Sequence, residues 1–264
     1  MSAGHAHIAR PRVIGLIPAA GYATRLGPLP CSKEILPIGV RDTRDGPQPK
    51  AVSHYLLEKM RLAGITEALI VLREGKWDIP AHYKDGAIVD MRLAYLAVPP
   101  TAGPPYTLDY AYPFVRDALV ALGFPDILFE PDDAFVRLLE HQARTNADVA
   151  LGLFPADRPE TMDVVAVAGS GRIEQIVVKP AHTTLRQTWG IAVWTPTFTQ
   201  FLHDRLSQAP APGEGTELHV GNLIQAAIEA GMRVEGLVVS GRPFLDIGVP
   251  EHLAQARSNA GQRS

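Results

Sequence analysis

The chain has 264 residues, 46% of them apolar and 20% charged, and 25 basic against 28 acidic residues leave a net charge of −3. That length and balance suit a globular α/β protein with a sizeable core, and they imply no strongly basic face, which argues against nucleic acid as a partner. The single cysteine, Cys31, excludes an internal disulfide and fits a reducing, cytoplasmic setting, and no run approaches the ~20 apolar residues of a membrane span.

The N-terminal stretch up to Gly21 has only a short apolar run, read as a first strand and not as a signal peptide. His5 and His7 form a conceivable metal pair but are read as part of a frayed terminus. Val13–Ala19 (VIGLIPA) is apolar throughout, as a strand covered on both faces would be. It opens into a loop of small residues, Ala19, Ala20, Gly21 and Ala23, that also carries Arg25 and Lys33. Such a loop lets backbone N–H groups approach an anion, with a planar guanidinium and a mobile ammonium beside them. A polyphosphate site and a pair of solvated cations both remain open on this composition. The spacing is not GxGxxG, and no GxxxxGK[ST] occurs, so the usual dehydrogenase and P-loop readings lose support.

The segment AVSHYLLEKMRLAGI predicts a helix ended by Gly64, and Glu67–Arg73 and Met91–Val98 predict strands. Phe114 to Leu122 is read as helical, with Pro113 near its start. DILFEPDDAFVRLLEHQARTNADVALGLFP reads as strand, acidic turn, helix and strand, with Phe135, Leu138, Leu139 and Gln142 or Ala143 on one helix face. DVVAVAGSGRIEQIVVKP is two β-rich runs around a Gly-Ser-Gly turn, a hairpin signal, and TWGIAVWTP is a further strand with Trp189 and Trp194 in the core or a pocket wall. From about Leu218 the pattern is helix, strand, short strand and final helix, and Gln208–Glu217 reads as a surface loop. The alternation predicts an α/β fold with a mixed, mostly parallel central sheet and helices on both faces.

AAGYATRLGPLPCSKEILPIG resembles the signature of the sugar-1-phosphate nucleotidylyltransferases, G-x-G-T-R-L followed by a proline-bearing loop and P/S-K-x-L-L-P-I. Gly21, Thr24, Arg25, Leu26, Ser32, Lys33, Leu36 and Pro37 fall on it. VSHYLLEKMRLAGITEALIVL, ADVALGLFP, GIAVWTP and FLDIGVPEHLAQA resemble later segments of the same family, so the likeness runs from Val13 to about Ala256. It implies a Rossmann-like nucleotide-diphospho-sugar transferase fold in one domain. A nucleotide-binding half would span about 12–155 and an acceptor-binding half about 156–250.

The resemblance also implies site residues. Ala19, Ala20, Gly21 and Thr24 would cradle the nucleotide phosphates, and Gly103 would stand for the glycine of the base-reading Q-P-x-G-L-A segment. Arg25 and Lys33 would offset charge at the α-phosphorus and the leaving pyrophosphate. Asp132, in FEPDDAF, matches the first metal aspartate, and Asp246, in FLDIGVPEHL, the second. Both would hold Mg²⁺, a hard cation suited to carboxylates. Lys179 of VVKPA would contact the acceptor phosphate, with Asp163 and Gly190 also at the acceptor. The partners implied are a nucleoside triphosphate, dTTP or UTP favoured, and a sugar 1-phosphate, with a homo-oligomer as one open arrangement.

Each assignment has a plainer rival: Asp132 as an N-cap for the helix starting near Ala134, Lys179 as a solvated strand-end lysine. Asp246 sits in an apolar run, where an unpaired carboxylate is costly. Departures from the family fall around substrate recognition. Arg25 and Lys33 are two residues closer than in the familiar thymidylyl and uridylyl enzymes. Pro131 replaces the glycine before the first metal aspartate, Val178 replaces a sugar-binding glutamate, and Asp163 a glycine. These motivate the alternatives of a non-hexose acceptor or CTP as donor, and of a non-catalytic nucleotide-binding regulator on the same fold.

Overall fold

The computed structural model describes residues 11–209 and 217–261; His5, His7 and most of Gln208–Glu217 lie outside the described residues. Strand β1 (Val13–Ala19) runs into a loop with two 3₁₀ turns, Thr24–Leu26 and Lys33–Ile35, and then a hairpin of β2 (Pro37–Thr43) and β3 (Gly46–Ala51). Helix α1 (Val52–Leu62) leads to β4 (Glu67–Arg73), α2 (Asp78–Tyr83), β5 (Arg92–Val98), α3 (Pro104–Asp109) and α4 (Tyr112–Val115). Next come β6 (Leu119–Gly123), β7 (Ile127–Leu128), α5 (Ala134–Thr145) and β8 (Val149–Pro155). The hairpin β9 (Asp163–Val167) and β10 (Ile173–Val178) precedes β11 (Gln187–Trp194) and α6 (Pro196–Gln208). The chain ends in α7 (Val220–Glu229), β12 (Val234–Val238), β13 (Leu245–Asp246) and α8 (Pro250–Gly261).

The main sheet has nine strands, ordered β10-β9-β11-β6-β1-β4-β5, with β8 pairing β11 and β12 pairing β8. The pairs β1–β4, β1–β6, β4–β5 and β8–β12 are parallel. Strand β11 runs antiparallel to β6, β8 and β9, and β10 to β9, so β10 and β11 alone oppose the other strands of this sheet. The sheet is therefore mixed and mostly parallel, as the alternating pattern implies.

Strand β1 shows why its sequence is apolar throughout. Successive side chains point to opposite faces, and both faces are covered. Ile14 and Leu16 pack with Leu108, Phe198, Leu202 and Ile224 from α3, α6 and α7. Ile17 and Ala19 pack with Leu56, Leu57, Met60, Phe135 and Leu138 from α1 and α5. Each of the larger side chains contributes about 1.5–3 kcal/mol by leaving water.

Two elements differ from the sequence reading. Leu119–Gly123, expected to continue a helix from Phe114, is the central strand β6, and the helix stops at Val115. A short apolar run carries no decisive period; here Val120 and Leu122 enter one core and Ala121 the other. The β2–β3 hairpin, whose prolines and charges carry no clear strand pattern, has no counterpart in the sequence reading; its two strands form a separate two-stranded sheet. Trp189 and Trp194 are both buried in the core, as expected.

Strand β1 connects onward to β4 on one side and has β6 on the other. The order reverses there, so the C-terminal end of β1 is a topological switch point, where open α/β sheets leave a crevice.

Candidate active site

The loop leaving β1 turns back on itself at Ala23 (φ 57°) and Gly27 (φ 72°), either side of the Thr24–Leu26 turn. Of the small residues expected to cradle phosphate, Ala19 is buried in β1 and Ala20 packs against the core. Gly21 and Thr24 are exposed, and a side chain at Gly21 would meet nothing within 4 Å. The free backbone of this loop thus begins at Gly21.

The turn from Ser32 to Ile35 alternates between anchor and presentation. Asp78 at the start of α2 accepts from the Ser32 N–H (2.6 Å) and Oγ (2.7 Å). Glu34 forms a buried ion pair with Lys76 (2.6 Å), and Ser53 Oγ donates to the Glu34 carbonyl (2.6 Å). Between these anchors, Lys33 reaches the other way, and its Nζ lies 2.5 Å from Asp126 Oδ2. Burial alone would lower the Lys33 pKa. The charge and hydrogen bond of Asp126, with Glu34 and Asp246 further off, outweigh it and raise the pKa above its ordinary value.

Asp126 follows β6 and precedes β7, whose partner is β13: Asp246 pairs with Ile127, and the Ile247 N–H donates to the Asp126 carbonyl (2.8 Å). This small antiparallel pair joins two carboxylates from remote parts of the chain. Arg25 Nη2 lies 3.4 Å from Asp246 Oδ2, while Asp246 Oδ1 accepts from the Gly248 N–H (2.8 Å). The Asp246 N–H donates to His252 Nδ1 (3.2 Å), which ties the strand to α8. Arg25, Lys33, Asp126 and Asp246 therefore form one charged group at the switch point.

Asp132 does not belong to it. Its carboxylate is exposed and pairs with Lys59 of α1, in a cavity of about 580 Å³ also lined by Lys50, Glu58 and Arg242. The position beside Asp246 that the sequence reading gave to Asp132 is held by Asp126. Nor does Asp132 cap α5: the N-cap is Asp133, with no side-chain bond. Asp126 was missed because β6 was read as helix, which hid that Asp126 follows the C-terminal end of a central strand. Glu34, Lys76 and Asp78 were missed for another reason, since their pairings link segments more than 40 residues apart and leave no local pattern.

Two predicted glycines have packing explanations. Gly103 lies at φ 128°, and a Cβ there would stand 2.2 Å from the Leu218 carbonyl oxygen. Gly190 lies at a bulge in β11 with Phe244 and Phe154 against it, buried in the core.

Asp163 and Lys179 are brought together, with a residue not foreseen. Lys179 follows β10 at φ 43°, its N–H donating to the Met162 carbonyl (3.0 Å). Its Nζ is 3.2 Å from His219 Nε2, at the start of α7. Asp163, opposite Val178 across the hairpin, is pushed up by burial and pulled back by His219, Lys179 and the Gly221 N–H.

The profile of the nucleotidyl transferase family matches residues 14–263. A glucose-1-phosphate thymidylyltransferase of Streptomyces griseus is 27% identical over 233 residues, and one of Streptomyces antibioticus 24% over 229. Each alignment covers 86% of this chain and 60% of the relative, so the chain spans about 60% of the length of these curated relatives. Among solved structures, a glucose-1-phosphate thymidylyltransferase assignment from Bacillus anthracis, in complex with a sucrose, superposes with TM-score 0.80 at 19% identity, covering 94% of this chain and 95% of that one. A UDP-glucose pyrophosphorylase complexed with UDP-glucose superposes at 0.76 and 17% identity, covering 95% and 99%. A UTP-bound UGPase from Acinetobacter baumannii gives 0.75 and 17%, covering 95% and 94%. These structures establish the shared fold.

Proposed function

The chain belongs to the nucleotidyl transferase family, and on that premise we propose that it transfers a nucleotidyl group from a nucleoside triphosphate to a sugar 1-phosphate. The observation that carries this reading is the convergence of Arg25 and Lys33, on the loop after β1, with Asp126 and Asp246, from the β7–β13 pair. A phosphate oxygen of the acceptor attacks the α-phosphorus in line. The new P–O bond forms as the α–β anhydride bond breaks, and pyrophosphate leaves. The nucleophile is already an anion, so no general base is needed, and Cys31 is outside the chemistry.

The protein's task is to neutralise and align two polyanions. The Gly21–Thr24 backbone is open to the triphosphate. Lys33, held in place by its anchored neighbours Ser32 and Glu34, offers a fixed ammonium to the α-phosphate and the departing pyrophosphate. Arg25, largely exposed, offers a movable guanidinium. Lys179 takes the acceptor phosphate.

The donor set fits Mg²⁺. Two carboxylates are hard oxygen ligands, and among the described residues no group of three or more His, Cys, Asp or Glu could hold a metal alone. Asp126 and Asp246 would hold the ion, with substrate phosphates and water as further ligands. When bound, Mg²⁺ supplies neutralisation of the phosphate oxygens.

The donor base and the acceptor stay within this proposal: dTTP or UTP with glucose 1-phosphate is the first choice, dTTP supported by the curated relatives' names and UTP by two structures of the same fold, one complexed with UDP-glucose and one UTP-bound. A panel of four triphosphates against phosphorylated acceptors, scored by pyrophosphate release with Mg²⁺ present, tests it. Turnover of dTTP or UTP with a hexose 1-phosphate is expected. Turnover only with CTP, or only with a non-hexose phosphate, would redirect the reading to that substrate. No pyrophosphate from any pair would leave the non-catalytic alternative.

A further inference from the structure

The side chains converging on Lys179 come from three separate segments. Asp163 opens β9, Lys179 follows β10, and His219 precedes α7. Lys179 adopts a positive-φ backbone conformation (φ 43°) rare for a non-glycine residue, of a kind that occurs at ligand clamps. Its ammonium carries three donors and no acceptor, and it lies 3.2 Å from His219 Nε2. That separation is within the span of two hydrogen bonds of about 2.7–3.2 Å each, so one phosphate group can accept from both the ammonium and a His219 Nε2 that carries its proton, in place of the direct lysine–imidazole contact. The neighbouring glycine fits the same arrangement. A Cβ at Gly221 would lie 2.4 Å from Asp163 Oδ2, so this turn of α7 approaches the carboxylate only because the residue has no side chain. The approach brings His219, two residues earlier, over Lys179.

We propose that His219 is a second ligand of the acceptor's phosphate, acting beside Lys179. The proposal rests on the reading of Lys179 as the acceptor-phosphate lysine. It adds a recognition residue from the start of α7 and makes the acceptor end a two-nitrogen phosphate clamp. The ligand class is a phosphate monoester dianion. A neutral sugar lacks the group this clamp takes.

The test separates the imidazole from the helix cap, because His219 stands at the N-cap of α7 and serine caps a helix well. Steady-state kinetics with dTTP and glucose 1-phosphate are measured for the wild type, His219→Ser and Lys179→Met, with a thermal melt for each. His219→Ser is expected to raise the acceptor KM about tenfold, the loss of one charge-assisted hydrogen bond, with the dTTP KM and Tm unchanged. An unchanged acceptor KM in His219→Ser, while Lys179→Met raises it, would overturn this inference and leave the proposed function standing. A fall in Tm with parallel changes in both KM values would make the imidazole structural and also overturn it. Unchanged acceptor KM in both variants would overturn the Lys179 reading itself. Independently of any variant's folding, titrating glucose 1-phosphate into ¹⁵N-histidine-labelled wild type is expected to shift the His219 imidazole resonances. Their constancy at saturation would contradict the proposal.

Discussion

At the end of β1, Lys33 is fixed from several directions: its neighbours Ser32 and Glu34 are tied to Asp78 and Lys76, and its own ammonium to Asp126. At the end of β10, Lys179 is exposed, and the group its ammonium meets is the half-buried ring of His219. The first lysine is preorganised by buried pairs, whereas the second is exposed and rests beside a half-buried imidazole. In energetic terms, an interaction fixed in advance contributes where charge develops in the transition state, and one that settles on a ligand contributes to binding that ligand. The nucleotide end should therefore govern turnover and the acceptor end affinity.

The largest expected effect follows from that contrast. Lys33→Met should lower kcat by about 10²–10³, the scale seen when one preorganised electrostatic donor is removed, while Lys179→Met should act mainly on the acceptor KM. Steady-state kinetics of the two variants read the split. Equal effects on kcat from both would erase the distinction between the two ends.

The buried anchor of Lys33 gives the next test. Burial pushes the Glu34 carboxyl up and the Lys76 ammonium down, against their mutual attraction, so the pair costs much of what it gains. Lys76→Met strands the carboxylate and should cost about 3–5 kcal/mol of stability in denaturant unfolding, whereas a Glu34→Leu, Lys76→Met double variant should recover most of it. A single variant as stable as wild type would mean that Glu34 is not held as a buried charge.

The smallest effect is a pH dependence away from both ends. For Glu58, burial acts upward, but hydrogen bonds from His54 and Lys50 prevail and bring its pKa down from 4.5 to about 2. A depressed folded-state carboxyl stabilises above its unfolded pKa and loses that contribution as pH falls through the folded value. Between pH 5 and 2, wild-type Tm should fall more than that of Glu58→Gln. The difference should be modest, because Glu58 is partly solvent-exposed. Parallel melts across this range would remove Glu58 from the acid response.

How much was legible in the sequence follows the same division. Val13–Ala19 and Glu67–Arg73 are strands with the bounds the apolar runs imply, because both faces of those strands are buried. The hairpin around Gly169–Gly171 was visible in its turn residues, with Gly171 at φ 93°. The cationic loop was visible as well, since small residues and two cations after a strand form a local pattern. What pairs with those cations was not, because it depends on β13 reaching β7 across more than a hundred residues. Asp132 and Asp126 lie six positions apart in one acidic stretch, and only the correct assignment of β6 as a strand separates a carboxylate at the strand's end from one on the surface. His219 was illegible for the same reason: nothing in its own segment points to Lys179, forty residues earlier.

The most direct measurement compares Asp126→Asn, Asp246→Asn and Asp132→Asn in a pyrophosphate-release assay at saturating substrates and Mg²⁺. The account predicts that the first two lose about a thousandfold or more in turnover, while Asp132→Asn stays within about tenfold of wild type. Near-normal turnover in Asp126→Asn together with a collapse in Asp132→Asn would contradict it.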